Sequence, residues 1–230
     1  MNFFGHLTVA TWYSREPALL LGAMLPDFAA LLGAPAPTAT SEPLARGLAL
    51  HHDTDRAFHG APSFVALSHE ACRELIQAGL PRGAARAVAH IGVEIVLDGV
   101  LAETDERVSA YRAALAEASR VEPALSWRSL ASPPAGRLQA LCGWLAPRDI
   151  RHESRDPEVI TQRLERTLAS RPRLRIPPGD LRQVTAWVER TGAAVRREAG
   201  PLLAQVERGL AAHDPRYAAP VHRGSDDLAP

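Results

Sequence analysis

Long stretches rich in Ala, Leu, Arg and Glu follow one another along this 230-residue chain, separated by short segments that contain proline or glycine. These residue types favour helices, and the apolar positions recur at helical spacing. No strong run of alternating β-branched residues indicates a strand. The sequence therefore predicts an all-α fold, a compact helical bundle without any sheet of three or more strands.

Local signals divide the chain into segments. Ser41 is a predicted N-cap, and Pro26 predicts a kink or a break in the second helix because an interior proline removes a backbone donor. Residues 1–213 are predicted to form one domain, followed by a frayed polar tail over 214–230. Helices are predicted over 2–13, from Pro17 onward, from Leu44 to the region of Phe58, over 63–78, over 82–119 as one helix or two, and over 137–145, 156–170 and 180–212.

Composition excludes several classes of function. The formal net charge is zero, which argues against broad binding of nucleic acid. No apolar run reaches the roughly 18 residues that a membrane-spanning helix needs. The first residues lack the basic region and cleavage site of a signal peptide, and Cys72 and Cys142 fit no metal-ligand spacing, as expected of two reduced thiols. We therefore expect a cytoplasmic protein.

Polar residues interrupt apolar helical segments at four places. His6 lies in FFGHLTV and Asp27 in AMLPDFAALL, and Glu94 and Asp98 both lie in HIGVEIVLDGVLA. A carboxylate buried without a partner costs several kcal/mol. Such residues therefore indicate a paired, strongly hydrogen-bonded or metal-binding role.

Spacing strengthens this interpretation. Residues four apart lie on one face of a helix, and two such stripes occur: His51, Asp55, His59 and His90, Glu94, Asp98. If the two stripes faced each other near His6 and Asp27, they would offer enough imidazole and carboxylate ligands for one or two divalent metal ions.

Each feature also has a purely structural interpretation. His6 can be a satisfied buried histidine, Asp27 can cap a helix that begins after a proline, and the carboxylates of 90–98 can pair with arginines. The dipeptide His52-Asp53 is typical of a large superfamily of metal phosphohydrolases. It is a weak signal alone, because neighbouring side chains on a helix point about 100° apart.

Four segments, MNFFGHLTVA, LLLGAMLPDF, GLALHHDTDRAFH and VEIVLDGVLA, together resemble the bacterial acyl carrier protein phosphodiesterases in order and spacing. LASRPRL (168–174) is similar to a segment near the C-terminus of that family, so the resemblance covers about residues 1–175, more weakly over 105–165. It implies a divergent HD-domain-like fold and a metal-dependent phosphodiesterase that removes 4′-phosphopantetheine from holo acyl carrier protein. The matching positions are His6, Asp27, His51, Asp55, Glu94 and Asp98.

Within this interpretation we assign roles as follows. The metal ligands are His51, Asp55, Glu94 and Asp98; the catalytic residues are His6, Asp27 and His59; and Arg46 and Arg56 contact the substrate phosphate. The preferred ion is Mn²⁺, with Fe²⁺ or Mg²⁺ as alternatives. The partner is an acidic acyl carrier protein, which would dock on a basic surface.

Three positions depart from the family pattern. Glu94 and His59 stand where aspartate is expected, and both changes keep metal-binding chemistry. Gly99 stands where histidine is common. Two alternatives therefore remain open: a phosphohydrolase acting on a nucleotide or another small phosphoester, and a degenerate member that binds a metal or a carrier protein without turnover.

Overall fold

The computed structural model describes residues 1–127 and 135–222, and these residues are almost entirely helical. The described part contains no sheet larger than one antiparallel pair of two-residue strands, β1 (Thr38–Ala39) and β2 (Leu125–Ser126). The prediction of an all-α fold is therefore confirmed. The α-helices are α1 (Phe3–Thr11), α2 (Pro17–Leu31), α3 (Glu42–His59), α4 (Pro62–Gln77), α5 (Arg82–Leu101), α6 (Asp105–Ala116), α7 (Ala118–Val121), α8 (Arg137–Leu145), α9 (Ile150–Glu153), α10 (Pro157–Leu168) and α11 (Leu181–His213).

Helix starts follow the local chemistry of the sequence. Proline occupies the first helical position of α2, α4 and α10, where its missing N–H costs no hydrogen bond. Asp156 caps α10 by accepting from the backbone N–H groups of Glu158 and Val159.

The break predicted at Pro26 does not occur, since α2 runs on to Leu31. Leu25 and Phe28 on either side of this proline are fully buried. Apolar burial of about 1.5–3 kcal/mol per large side chain outweighs one lost backbone hydrogen bond. Two other segments differ from expectation: α9 was not predicted, and 82–119 divides into α5, α6 and the beginning of α7.

The described chain forms two units, each assembled from distant segments. The first contains Met1–Ala57, Thr104–Arg148 and the stretch from Glu207 to the last described residue, and the second contains Phe58–Glu103 and Asp149–Val206. The single domain expected over 1–213 stays a prediction.

Aromatic and aliphatic side chains fill the core of the first unit, where α1 packs on α2 and α2 packs on α6. The Phe3 ring lies 5.6 Å from that of Phe28, and the Phe4 ring lies 5.5 Å from that of Tyr111. This packing fixes α1 and α2, the two helices that carry His6 and Asp27.

In the second unit, α5 packs against α4 and α10. Trp187 of α11 is buried in the same core, and a Cβ atom on Gly92 would lie 2.7 Å from its indole ring. Glycine at this position therefore lets α5 approach the indole, and α5 carries the polar residues His90, Glu94 and Asp98.

Part of the segment expected to fray is held against the first unit. Residues Pro215–Tyr217 form a 3₁₀ turn, and the N–H groups of Val221 and His222 donate to the carbonyl of Trp12 at 2.9 Å. Residues 223–230 lie outside the described part of the chain. Within the described residues, no helix has both the length and the apolar character needed to cross a bilayer.

Candidate functional site

Four of the predicted site residues meet in the first unit. We call His6, Asp27, His51 and Asp55 the histidine–aspartate group. Helix α1 contributes His6, α2 contributes Asp27, and α3 contributes the other two. The ligand atoms of His6, Asp27 and His51 all lie within 4.8 Å of one another.

The distances show how closely the donor atoms gather. His6 Nε2 lies 3.2 Å from Asp55 Oδ1 and 4.0 Å from Asp27 Oδ2. His51 Nε2 lies 3.9 Å from Asp55 Oδ2, one helical turn along α3. Both imidazoles are buried, whereas the carboxylate side chains of Asp27 and Asp55 are 28% and 38% exposed. Solvent therefore reaches the group from its carboxylate side.

A backbone carbonyl fixes the orientation of His51. Its Nδ1 lies 2.8 Å from the carbonyl oxygen of Ala23. A carbonyl can only accept, so Nδ1 carries the proton and Nε2 carries the lone pair. The imidazole of His6 stacks on that of His51 with ring centroids 3.7 Å apart. This arrangement, in which a protonated Nδ1 holds the ring while Nε2 remains available, is typical of metal-ligating histidines.

Close contact between α2 and α3 makes this hydrogen bond possible. A Cβ atom on Gly47 would lie 2.2 Å from the carbonyl oxygen of Leu19, and one on Gly22 would lie 2.7 Å from that of Leu44. Only glycine fits at these contacts. The two glycines therefore bring His51 within reach of the backbone of α2.

The charge states suit metal binding. Burial lowers the pKa of His51 to about 3, and the neighbouring His6 adds to the effect. Its imidazole is therefore neutral at neutral pH. Burial alone would raise the pKa of Asp55, but the hydrogen bond from His6 and the α-amino group of Met1, 2.8 Å away, hold it well below its ordinary value. Asp55 is therefore an anionic donor.

A second cluster lies in the second unit. We call His59, His90 and Glu94 the histidine–glutamate group. The Nε2 atoms of both histidines lie 3.2 Å from the same oxygen, Glu94 Oε1. Burial would raise the pKa of Glu94, but positive charge and the hydrogen bonds from the two imidazoles outweigh it and hold this pKa below its ordinary value. His59, predicted as a catalytic residue, and Glu94, predicted as a metal ligand, are therefore direct neighbours.

Asp98 is fully buried on α5, in the second unit. The residue after it explains one departure from the family pattern. A Cβ atom on Gly99 would lie 2.2 Å from the carbonyl oxygen of Ser154. The backbone of Ser154 fills the space that a histidine side chain would need. The convergence of Glu94 and Asp98 with the histidine–aspartate group on one pocket stays a prediction.

Both arginines that are predicted to contact the substrate phosphate form ion pairs with carboxylates of the first unit. Arg46 pairs with Glu42 one turn earlier at 3.2 Å, and Arg56 pairs with Asp53 at 3.0 Å. Arg46 also lines a cavity of about 190 Å³. Their role toward the substrate phosphate stays a prediction.

The structure decides between several interpretations that the sequence left open. Asp27 lies inside α2 and is not its N-cap. Asp53, the acidic half of the His-Asp dipeptide, accepts from the hydroxyl of Tyr217 at 3.1 Å, and His213 lies 3.3 Å from it. This aspartate therefore anchors the C-terminal segment.

Sequence reasoning missed two contributors to the candidate sites. Nothing in the sequence marks the carbonyl of Ala23, because any residue offers one. The pairing of His90 with Glu94 had a signal, the four-residue spacing on α5, although His90 received no role.

Comparison with known proteins adds no assignment: no family model matches this chain, nor does any curated protein or solved structure. The resemblance to the acyl carrier protein phosphodiesterases accordingly rests on its four motifs and on the segment over 168–174.

Proposed function

We propose that this chain is a metal-dependent phosphodiesterase, and that its substrate is the 4′-phosphopantetheine linkage of holo acyl carrier protein. The observation that carries the proposal is the histidine–aspartate group. In this group three helices gather two imidazoles and two carboxylates at positions that also match the family motifs.

The donor set fits a divalent metal ion. Mixed imidazole and carboxylate ligation suits Mn²⁺ or Fe²⁺. His51 offers a neutral Nε2 and Asp55 an ionised carboxylate, so binding need not displace a proton from either. His51 and Asp55 would hold the ion, with Asp27 and His6 beside them. Glu94 and Asp98 remain proposed ligands.

A divalent ion in such a site polarises phosphoryl oxygens and acidifies water. The residues of this chain would position the phosphodiester and move the protons. His6 Nε2 lies 3.2 Å from Asp55 Oδ1 and 4.0 Å from Asp27 Oδ2. It is the atom from which we expect a proton to reach the leaving oxygen.

The carrier-protein part of the proposal is supported by the family resemblance and by one arginine-rich segment with exposed arginines. Residues 148–175 contain eight arginines against five acidic residues. The final ten of them contain no acidic residue, and their four arginines are all exposed: Arg166, Arg171, Arg173 and Arg175. Such a segment attracts an acidic partner and accelerates its association.

The test follows the mass of the substrate. Mn²⁺-loaded protein is incubated with holo acyl carrier protein, and conversion to the apo form is measured by mass spectrometry. We expect conversion that chelation abolishes and that Asp55→Asn removes. Glu70→Gln is the matched control, because it makes the same acid-to-amide change at an exposed ion pair with Arg73.

Unchanged mass of the carrier protein in the presence of Mn²⁺, Fe²⁺ and Mg²⁺ would contradict the substrate assignment. If the same samples hydrolysed a generic small phosphodiester, the assignment as a phosphodiesterase would still stand. Absence of both activities, together with stoichiometric metal, would leave the non-catalytic alternative.

A further inference from the structure

We propose that the histidine–glutamate group of the second unit, His59, His90 and Glu94, is a zinc-binding site. It uses no residue of the histidine–aspartate group, and it assigns Glu94 to this zinc site in place of the phosphodiesterase metal site. It also gives His59 the role of a metal ligand in place of the predicted catalytic one.

The separations between the ligand atoms carry the argument. Two ligands bonded to a tetrahedral zinc ion at about 2.0–2.1 Å lie roughly 3.4 Å apart. The Nε2 atoms of His59 and His90 each lie 3.2 Å from Glu94 Oε1, and all three ligand atoms fall within 4.8 Å of one another. Both nitrogen–oxygen separations are therefore within a few tenths of an ångström of the value around zinc.

Packing holds both imidazoles in this arrangement. The rings of His59 and His90 are nearly parallel, with an interplanar angle of 9° and centroids 5.0 Å apart. The buried ring of Phe64 meets both of them edge-on, at 5.3 Å and 5.2 Å. Ligands that are held in place before the ion arrives lose little conformational entropy on binding.

The chemistry of the donors suits zinc. Two imidazoles and one carboxylate form a His₂Glu set, which is typical of zinc sites that keep a fourth position open. Imidazole ligands disfavour Mg²⁺ and Ca²⁺, which prefer oxygen. The carboxylate is largely buried with 11% of its side chain exposed, whereas His59 and His90 are 34% and 46% exposed. An ion can therefore reach the group from solvent.

A cavity of about 610 Å³ adjoins the proposed site, and His59 and His90 both line it. Its wall also includes Phe64, Cys72 and Arg86. A guanidinium beside a bound cation makes this cavity suited to an anion that carries an apolar part. A small carboxylate or phosphate compound is the class of ligand that would complete the coordination of zinc.

The test uses Zn²⁺ as the probe, with competition against a chromophoric chelator and elemental analysis of the dialysed protein. His90→Gln removes one ligand at a half-exposed position, so the fold should persist. We expect it to bind one equivalent fewer than the wild type. Its affinity at this site should fall by about 100-fold or more, because even the outer partners of ligands cost about 10–100-fold.

His69→Gln is the matched control, since His69 is exposed and lines the same cavity but lies outside the histidine–glutamate group. It should bind zinc as the wild type does. Substitution with Co²⁺ gives an independent reading, because the visible absorption of four-coordinate Co²⁺ should be lost in His90→Gln and kept in His69→Gln. Far-UV circular dichroism of the metal-free proteins confirms that each variant is folded.

Equal zinc stoichiometry and affinity in the wild type, His59→Gln and His90→Gln would overturn the proposal. So would an equal loss in His69→Gln. Failure of the zinc-site proposal can be distinguished from failure of the proposed phosphodiesterase function. Loss of one zinc equivalent in His90→Gln, combined with no phosphodiesterase activity in the wild type, would reject the proposed function and retain this site.

Discussion

At the scale of single residues, the candidate site depends on which nitrogen of His51 carries a proton. The carbonyl of Ala23 fixes that proton on Nδ1, and burial keeps the ring neutral. The same burial would disfavour the charge on Asp55 if His6 and the α-amino group of Met1 did not stabilise it. Neutral imidazole and ionised carboxylate therefore coexist because each has a specific partner.

Replacing Asp55 with asparagine should separate the metal-binding role from the structural one. The amide keeps the shape, so packing around it is preserved, but the buried α-amino group of Met1 loses the carboxylate that lies 2.8 Å away. The variant also loses the negative charge that a divalent ion requires. We expect the affinity for Mn²⁺ to fall by about 100-fold or more, measured by calorimetric titration, and the melting temperature to fall below that of metal-free wild type, because the paired charge on Asp55 stabilises the fold. A variant that melts several degrees lower yet binds Mn²⁺ stoichiometrically would contradict the assignment.

The two cysteines should differ in reactivity. Burial raises the pKa of the Cys142 thiol to about 12, and the charge of Glu122 adds to it. Cys72 is partly exposed. Because the thiolate is the nucleophile, iodoacetamide at slightly alkaline pH should modify Cys72 and spare Cys142 in the folded protein. Peptide mass spectrometry would show this, and rapid modification of both thiols before unfolding would contradict it.

At the scale of helices, the site depends on how closely α2 and α3 approach. Gly47 is the contact point, since its Cβ would lie 2.2 Å from the carbonyl of Leu19 and 2.8 Å from the backbone nitrogen of Ala23. Any side chain there must push the helices apart. Such a displacement would lengthen the hydrogen bond that orients His51.

Gly47→Ala should therefore destabilise the fold and weaken metal binding together. Overpacking typically costs about 1–3 kcal/mol, although alanine recovers about 0.5–1 kcal/mol of helix preference. Gly143→Ala in α8 is the matched control, because nothing lies within 4 Å of its added Cβ. We expect the control to gain about 0.5–1 kcal/mol in the free energy of unfolding by urea. A stabilised Gly47→Ala with unchanged Mn²⁺ affinity would show that α2 and α3 have room to spare.

At the scale of the whole molecule, each unit is built from segments far apart in sequence. The C-terminal segment illustrates this in the first unit. Tyr217 donates to Asp53 of α3, and its ring packs edge-on against that of Tyr13. A residue near one end of the chain thereby holds elements from the other end.

Tyr217 should give the stability of the protein a distinct dependence on alkaline pH. Burial, followed by the charge of Asp53, raises its pKa to about 12, whereas an unfolded tyrosine ionises near pH 10. The unfolded state thus loses its proton first. The contribution of Tyr217 to stability is fully present below about pH 10 and is lost as pH rises toward about 12.

The pH dependence of stability can be followed here without interference from lysine, because the chain contains no lysine that would titrate between about pH 10 and about pH 12. Urea unfolding at several pH values between about 9 and about 12 should show a shallower decline for Tyr217→Phe than for the wild type. Parallel declines for the two proteins would mean that Tyr217 ionises alike in the folded and unfolded states.

The sequence by itself determined the helical class, most helix positions and the candidate donors. Helix periodicity and capping are local, so α8 falls where the pattern predicts it, and the four-residue spacing of His51 and Asp55 fixes their common face whatever surrounds them. Packing competes with local rules at Pro26, where α2 continues without the break that proline allows and buries Leu25 and Phe28.

Only the tertiary structure decided which donors meet. It joined His6 and Asp27 to His51 and Asp55 in the first unit, and His59 to Glu94 in the second. It also brought Asp53 within hydrogen-bonding distance of Tyr217 and placed the backbone of Ser154 against Gly99. These outcomes depend on contacts between residues tens of positions apart, whose energies arise from close approach and burial, and no spacing along a single helix encodes them.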